Sequence, residues 1–201
     1  MYGSDENDTN HYEEGIYDLT VCSSVTLLPV NSVEKLLNLT EFMEADHKRL
    51  DALLNTAFSD PDQIDHASYD QFRAGLLKHI GMEEKILLPL AQKLRGGDPL
   101  PMAAKLRLDH GALASLLVPM PTPKIAHAIQ TVLEAHNPLE EGPQGVYEQC
   151  RNLAAEDAER VLSELLSSKE VPVATRMDTP KVMEGVRRAL ERAGFNENLL
   201  D

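Results

Sequence analysis

Between residues 43 and 140, apolar side chains return in steps of three and four, and histidine or glutamate interrupts the stripes they form. One segment carries Met43, His47, Leu50 and Leu54, and a second carries Phe72, Leu76, His79, Glu83, Ile86, Leu90 and Leu94. A third carries Ala103, Leu106, His110, Leu113 and Leu117, and a fourth Ile125, Ile129, Leu133, His136 and Glu140. Positions three and four apart share one face of a helix, so each run predicts an amphipathic helix with polar groups on its inward stripe. Breakers set the expected limits. The first helix, 40–58, is closed by Ser59-Asp60-Pro61-Asp62, and the second, 64–94, by Gly96-Gly97-Asp98-Pro99. The third, 101–118, meets Pro119, Pro121 and Pro123.

The fourth helix is expected over 124–136 and then disturbed by Pro138, which has no N–H for the Glu134 carbonyl and pushes Asn137 away from the α region. It kinks there, or it ends and restarts with Asn137 as cap. The His79–Glu83 helix, with no such residue, is expected to be regular. A fifth helix follows at 146–168, long and well formed, then a linker after Val171-Pro172. Thr179-Pro180 and Gly194 bound a last short helix that carries Val182, Met183, Val186 and Leu190 on one side. Residues 1–31 contain no Lys or Arg and show no helical period, which predicts a mostly mobile acidic arm; a short helix is expected to begin after Asn31-Ser32. The expected organisation is therefore an arm (1–31), a helical bundle (32–168), and a linker with the short C-terminal helix (169–201).

The polar interruptions are duplicated. Asp46-His47-x-x-Leu50-x-x-Leu53-Leu54 is matched by Asp109-His110-x-x-Leu113-x-x-Leu116-Leu117, and Leu76-x-x-His79-x-x-x-Glu83-Glu84 by Leu133-x-x-His136-x-x-x-Glu140-Glu141. A buried carboxylate without a partner costs several kcal/mol, so it must be paired, protonated or bound to metal. No Lys or Arg lies on these stripes within two turns of the histidines and glutamates. Four histidines and two carboxylates at helical spacing are instead what a two-metal site in a four-helix bundle requires. His and Glu on one helix are ~6 Å apart in rise and can reach one cluster.

The candidate ligands are thus His47, His79, Glu83, His110, His136 and Glu140. Glu141 is the alternative to Glu140 if Asn137 caps a restarted helix. His66 and His127 fall off the ligand phase and His11 lies in the arm, so all three are assigned to solvent. Asp46 and Asp109 stand about 100° from the ligand direction, on the surface or orienting a metal-bound imidazole. Glu84, like Glu141 where Glu140 ligates, is read as a rim residue.

Composition narrows the partners. A formal net charge of −14 argues against a nucleic-acid backbone or an anionic membrane surface. No apolar run approaches the ~20 residues of a membrane span, and the first residues lack the pattern of a signal peptide. Cys22 and Cys150 are too few for a disulfide framework and lie far from the His/Glu pattern, which predicts a reduced, cytoplasmic protein. Scarce aromatics and abundant Leu and Ala suit packed helices.

At these residues the chain resembles the hemerythrin-like family, or HHE cation-binding domain, over roughly residues 38–168. Ile86-Leu-Leu-Pro89 also looks like the ending of that family's second helix. The resemblance implies an all-α, up-and-down four-helix bundle around a non-heme di-iron centre, oxo- or hydroxo-bridged. His47, His79, His110 and His136 would be terminal ligands, with Glu83 and Glu140 bridging. The oxygen carriers of the family have a second histidine four residues after the third-helix one, where this chain has Ala114. Their fourth-helix Asp comes five residues after its histidine, whereas here Glu140 is at four and Glu141 at five. The pattern resembles the four-histidine, two-glutamate branch. Two irons are expected, although His and carboxylate also suit manganese and zinc.

The expected function is binding of O2, NO or peroxide for sensing, protection or iron handling, inside an apolar layer that includes Met43, Leu50, Leu76, Met82 and Leu113. The alternatives are a di-iron peroxidase, oxidase or NO-reducing enzyme, and a metal-responsive module whose arm and C-terminal helix bind a protein partner. The enzyme reading needs proton donors near the metals, and Tyr69 and Tyr147 lie on other turns. A binding protein is therefore preferred over a dedicated enzyme.

Overall fold

A computed structural model describes residues 38–201; the acidic arm, the expected helix start after Asn31-Ser32, His11 and Cys22 lie outside them. The chain is an all-α bundle in up-and-down order, built on α1 (Leu39–Ala57), α2 (His66–Met82), α4 (Ala103–Leu116) and α5 (Pro123–Glu141). Local chemistry sets the starts. Asn38 and Glu41 form a reciprocal capping box at α1, Asp65 accepts from the N–H groups of Ala67 and Ser68 at α2, and Thr122 with Pro123 opens α5.

The second predicted helix is not regular. After α2 the chain takes a single π turn, Glu83–Leu87, before resuming as α3 (Leu88–Leu94). The Leu88 N–H reaches back five residues to the Glu83 carbonyl, and Pro89 follows with no N–H to give Lys85. The inserted residue moves the inward stripe by one position. Leu87 and Ala91 are buried where Ile86 and Leu90 were expected, and Leu94 is exposed. The proline in the fourth helix has the opposite outcome: Pro138 sits inside α5, which continues without a break to Glu141.

The fifth predicted helix is divided. It runs as α6 (Val146–Leu153), a 3-10 turn Ala155–Asp157, and α7 (Ala158–Leu166). The last helix, α8 (Pro180–Ala193), has the predicted Thr179 cap and a left-handed Gly194 at φ 85°, and it packs against α4. Val186, Leu190 and Ala193 join the bundle core. Arg73 secures the linker before it: this buried side chain donates to the carbonyls of Leu117 (2.9 Å) and Ala174 (2.9 Å).

The apolar interior forms two clusters. One gathers Leu50, Leu54, Phe72, Leu76, Leu113, Ile129 and Leu133; the other gathers Met43, Met82, Leu87, Leu106, Tyr147, Val161 and Leu165. His47 lies in sequence between Met43 and Leu50, His79 between Leu76 and Met82, and His110 between Leu106 and Leu113. A buried polar layer thus separates two apolar ones. Among the described residues, no helix is long and apolar enough to cross a membrane.

Candidate metal centre

Four helices bring the six inward polar residues together. α1 carries His47, α2 His79, α4 His110, and α5 both His136 and Glu140, while Glu83 opens the π turn. All six are buried. Their donor atoms fall into two overlapping groups, His47/His79/Glu83/Glu140 and Glu83/His110/His136/Glu140, with the atoms of each group within 4.8 Å of one another. Each carboxylate turns a different oxygen to each group. Glu83 Oε1 is 3.2 Å from His79 Nε2, and its Oε2 is 3.1 Å from His110 Nε2. Glu140 Oε2 is 3.5 Å from His47 Nε2, and its Oε1 is 3.1 Å from His136 Nε2.

These groups fit metal ions by their own geometry. Glu83 Oε2, Glu140 Oε1 and His110 Nε2 are buried and have no hydrogen-bond partner among the described residues, although they lie close to one another. Atoms that gather without pointing at each other face a common point. They meet only one another, at ion-pair distance and outside hydrogen-bond geometry, and a cation at that point would satisfy all three.

The outer nitrogen of every ring meets its own carboxylate. His47 Nδ1 contacts Glu141 at 2.6 Å, His79 Nδ1 contacts Asp46 at 2.8 Å, His110 Nδ1 contacts Glu84 at 2.8 Å, and His136 Nδ1 contacts Asp109 at 3.4 Å. Such a partner fixes ring orientation and leaves Nε2 facing the cluster. Glu84 and Glu141 keep the partly exposed rim position their sequence phase suggested, and from it each also holds a histidine ring. Glu141 lies on the far side of His47, and it is Glu140 that enters the cluster. Asp46 and Asp109 take the imidazole-orienting position rather than a free surface one, and Asp109 is fully buried. His66 and His127 are exposed, as their phase predicts.

The electrostatics follow from this ring. Burial opposes protonation of His79, but the Glu83 charge and the bond to Asp46 outweigh it and raise its pKa to about 10. His110, likewise opposed by burial, is carried to about 11 by Glu140, Glu83 and Glu84, and His136 to about 9 by Asp109 and Glu140. Burial would raise Glu83, yet His79 and His110 hold it well below the ordinary carboxylate range. Burial also works against the charge on Asp46, whose bonds to His79 and Arg49 bring it to about 2.

Sequence reasoning set Tyr147 on another turn, away from the metals, and the structure overturns that placement. Tyr147, from the first turn of α6, is fully buried with its hydroxyl inside the first donor group. The hydroxyl donates to Glu83 Oε1 at 2.5 Å and lies 3.2 Å from Glu140 Oε2, 3.1 Å from His79 Nε2 and 3.2 Å from His47 Nε2. Burial, then the two glutamate charges, push its pKa well above the ordinary phenol value. The turn before α6 delivers it. A Cβ on Gly145 would stand 2.4 Å from the Glu140 carbonyl oxygen, so only glycine lets α6 begin so close to the end of α5. Gly142-Pro143-Gln144-Gly145 marked a turn in the sequence, but helical phase could not carry across it to Tyr147. Cys150, one turn further on, is buried beside the Leu87 carbonyl, nearer the centre than its sequence distance implied, and burial raises its thiol to about 12.

A helical bundle that buries paired His/Glu donor groups defines a cation-binding protein. The sequence matches the family described as Hemerythrin HHE cation binding domain over residues 38–164, most of the chain, and the chain belongs to that family. Its histidines and glutamates follow the four-histidine, two-glutamate pattern. No curated protein and no solved structure matches it.

Proposed function

We propose that this chain is a non-heme di-iron protein that binds O2 or a related small ligand, NO or peroxide, in sensing, protection or iron handling. The pair of four-donor groups sharing Glu83 and Glu140 carries this reading. His47 and His79 would hold one ion and His110 and His136 the other, with each glutamate spanning both. Two irons, when bound, supply redox-active centres with coordination positions left over for a small ligand. The chain's own residues do the rest. Asp46, Glu84, Asp109 and Glu141 orient the imidazoles, while Met43, Leu50, Leu76, Met82 and Leu113 keep water from the polar layer.

The protein as purified is expected to contain about two irons per chain. Its visible spectrum, after anaerobic reduction, is expected to change when O2 or NO is admitted. A protein that holds zinc alone, with no spectral response, overturns the proposal.

Two observations favour turnover as a second reading. The Tyr147 hydroxyl is a proton donor inside the donor group, and a cavity of about 500 Å³ lined by Phe42, Asp46, Arg49, Lys78 and Met82 opens beside Asp46. Steady consumption of peroxide or NO by the iron-loaded protein separates a catalyst from a binding protein.

A further inference from the structure

The two donor groups differ in one respect that the duplicated sequence does not foreshadow. In the His47/His79 group, the Tyr147 hydroxyl lies 2.5–3.2 Å from a donor atom of all four residues. Those four atoms therefore converge on a phenol oxygen. In the His110/His136 group no such hydroxyl is bonded among the described residues, and the atoms without a hydrogen-bond partner there, Glu83 Oε2, Glu140 Oε1 and His110 Nε2, all belong to that group. The first group closes on a hydroxyl, while the second holds only its own His–Glu ion pairs.

We propose that Tyr147 divides the centre into two unequal positions that fill in order: the His110/His136 position first and more tightly, the His47/His79 position second, by displacing the Tyr147 hydroxyl. The inference rests on the two-metal reading above. An ion entering at His110 and His136 takes the place of the His110–Glu83 and His136–Glu140 ion pairs but displaces no protein group from the position. An ion entering at His47 and His79 must break the bonds from Tyr147 to Glu83 Oε1 and Glu140 Oε2, and the phenol keeps its proton as it withdraws. The ring is packed in the same apolar cluster as Val146 and Cys150, and the start of α6 lies so close to the end of α5 that Gly145 has no room for a side chain. Retreat of the hydroxyl has to disturb this packing, which makes the second step the weaker one.

Zinc tests the order without redox chemistry. The chelator-treated full chain is titrated with Zn2+ against a chromophoric competitor. Two steps are expected, separated by at least about tenfold in affinity, the equivalent of one 1.4 kcal/mol increment. H136A should abolish the tighter step and leave the weaker, and H47A the reverse. Y147F, which removes only the hydroxyl, should tighten the second step and bring the two within about threefold, under half that increment. Helical circular dichroism checks that each variant is folded, and the H136A and H47A comparison decides the order without any change at Tyr147. Two steps of equal affinity in the unaltered protein, loss of the tighter step in H47A, or a Y147F second step that is unchanged or weaker, overturns the proposal. In each of those cases the protein still binds two ions and the two-metal reading stands. Failure to bind either zinc or iron would remove that reading instead.

Discussion

Lys105→Met should reveal how the C-terminal helix is joined to the metal centre. Lys105 Nζ donates to Asp109 Oδ1 at 2.5 Å and to the carbonyl of Ala193, the last residue of α8, at 3.0 Å, and it lies 4.8 Å from the centre of the Phe195 ring. The other Asp109 oxygen faces His136 Nδ1 at 3.4 Å. A short path thus runs from the end of α8, through Lys105 and Asp109, to a candidate ligand. Methionine keeps the apolar stem and removes the charge. Fully buried Asp109 would then retain only its long contact with His136. Breaking a buried ion pair costs about 3–5 kcal/mol.

Lys105 is 43 % exposed, so water takes over part of its role and about 2 kcal/mol is the better figure. For a chain of this size that lowers Tm by roughly 4–8 °C. Urea unfolding of the metal-free protein measures the loss. Because both partners are removed together in K105M/D109N, the double variant should recover part of it, with a coupling of about 1 kcal/mol or more. Hydrogen exchange in α8 should accelerate in K105M. A loss under about 0.5 kcal/mol, or strict additivity with D109N, would refute the argument that Lys105 joins α8 to His136.

Two further outcomes follow from the ring of outer carboxylates. Asp46→Asn keeps the size of the side chain but weakens its hold on His79 Nδ1, and should lower zinc affinity about 10–100-fold while leaving the helix content unchanged; an unaltered affinity would show that Asp46 does not orient the ring. The second outcome concerns pH. His79, His110 and His136 have pKa values of about 10, 11 and 9 in the folded chain against an ordinary 6.5. Their contribution to folding is complete below pH 6.5 and is lost as pH rises through the folded values. The urea midpoint of the metal-free protein should therefore fall as pH rises from 6.5 to about 11, and metal uptake at pH 8 should release protons from these imidazoles, which an indicator dye can detect. A midpoint that rises over this range, or uptake without proton release, would contradict the ion-pairing described above.

Much of the fold and most of the cluster were legible because they depend on short-range order. A residue four positions from another lies on the same helix face whatever the rest of the chain does, so His79 with Glu83 and His136 with Glu140 could be read directly. The same logic put His66 and His127 in solvent. It failed where one residue was inserted. The π turn at Glu83 shifted every later inward position in that segment by one, from Ile86 to Leu87 and from Leu90 to Ala91. Pro138 misled in the other direction, since α5 accommodates it and still delivers Glu140.

By itself the sequence determined that four amphipathic helices turn histidine and glutamate inward, because helical period and the cost of burying charge act locally and leave few other arrangements. Only the tertiary structure decided which partner each group meets. Glu84 reaches a histidine 26 residues away and Glu141 one 94 residues away, and no periodicity encodes such distances. The same holds for Tyr147. Its phenol enters the centre because a glycine turn brings α6 back against α5, and this packing makes the two halves of a duplicated pattern physically unequal.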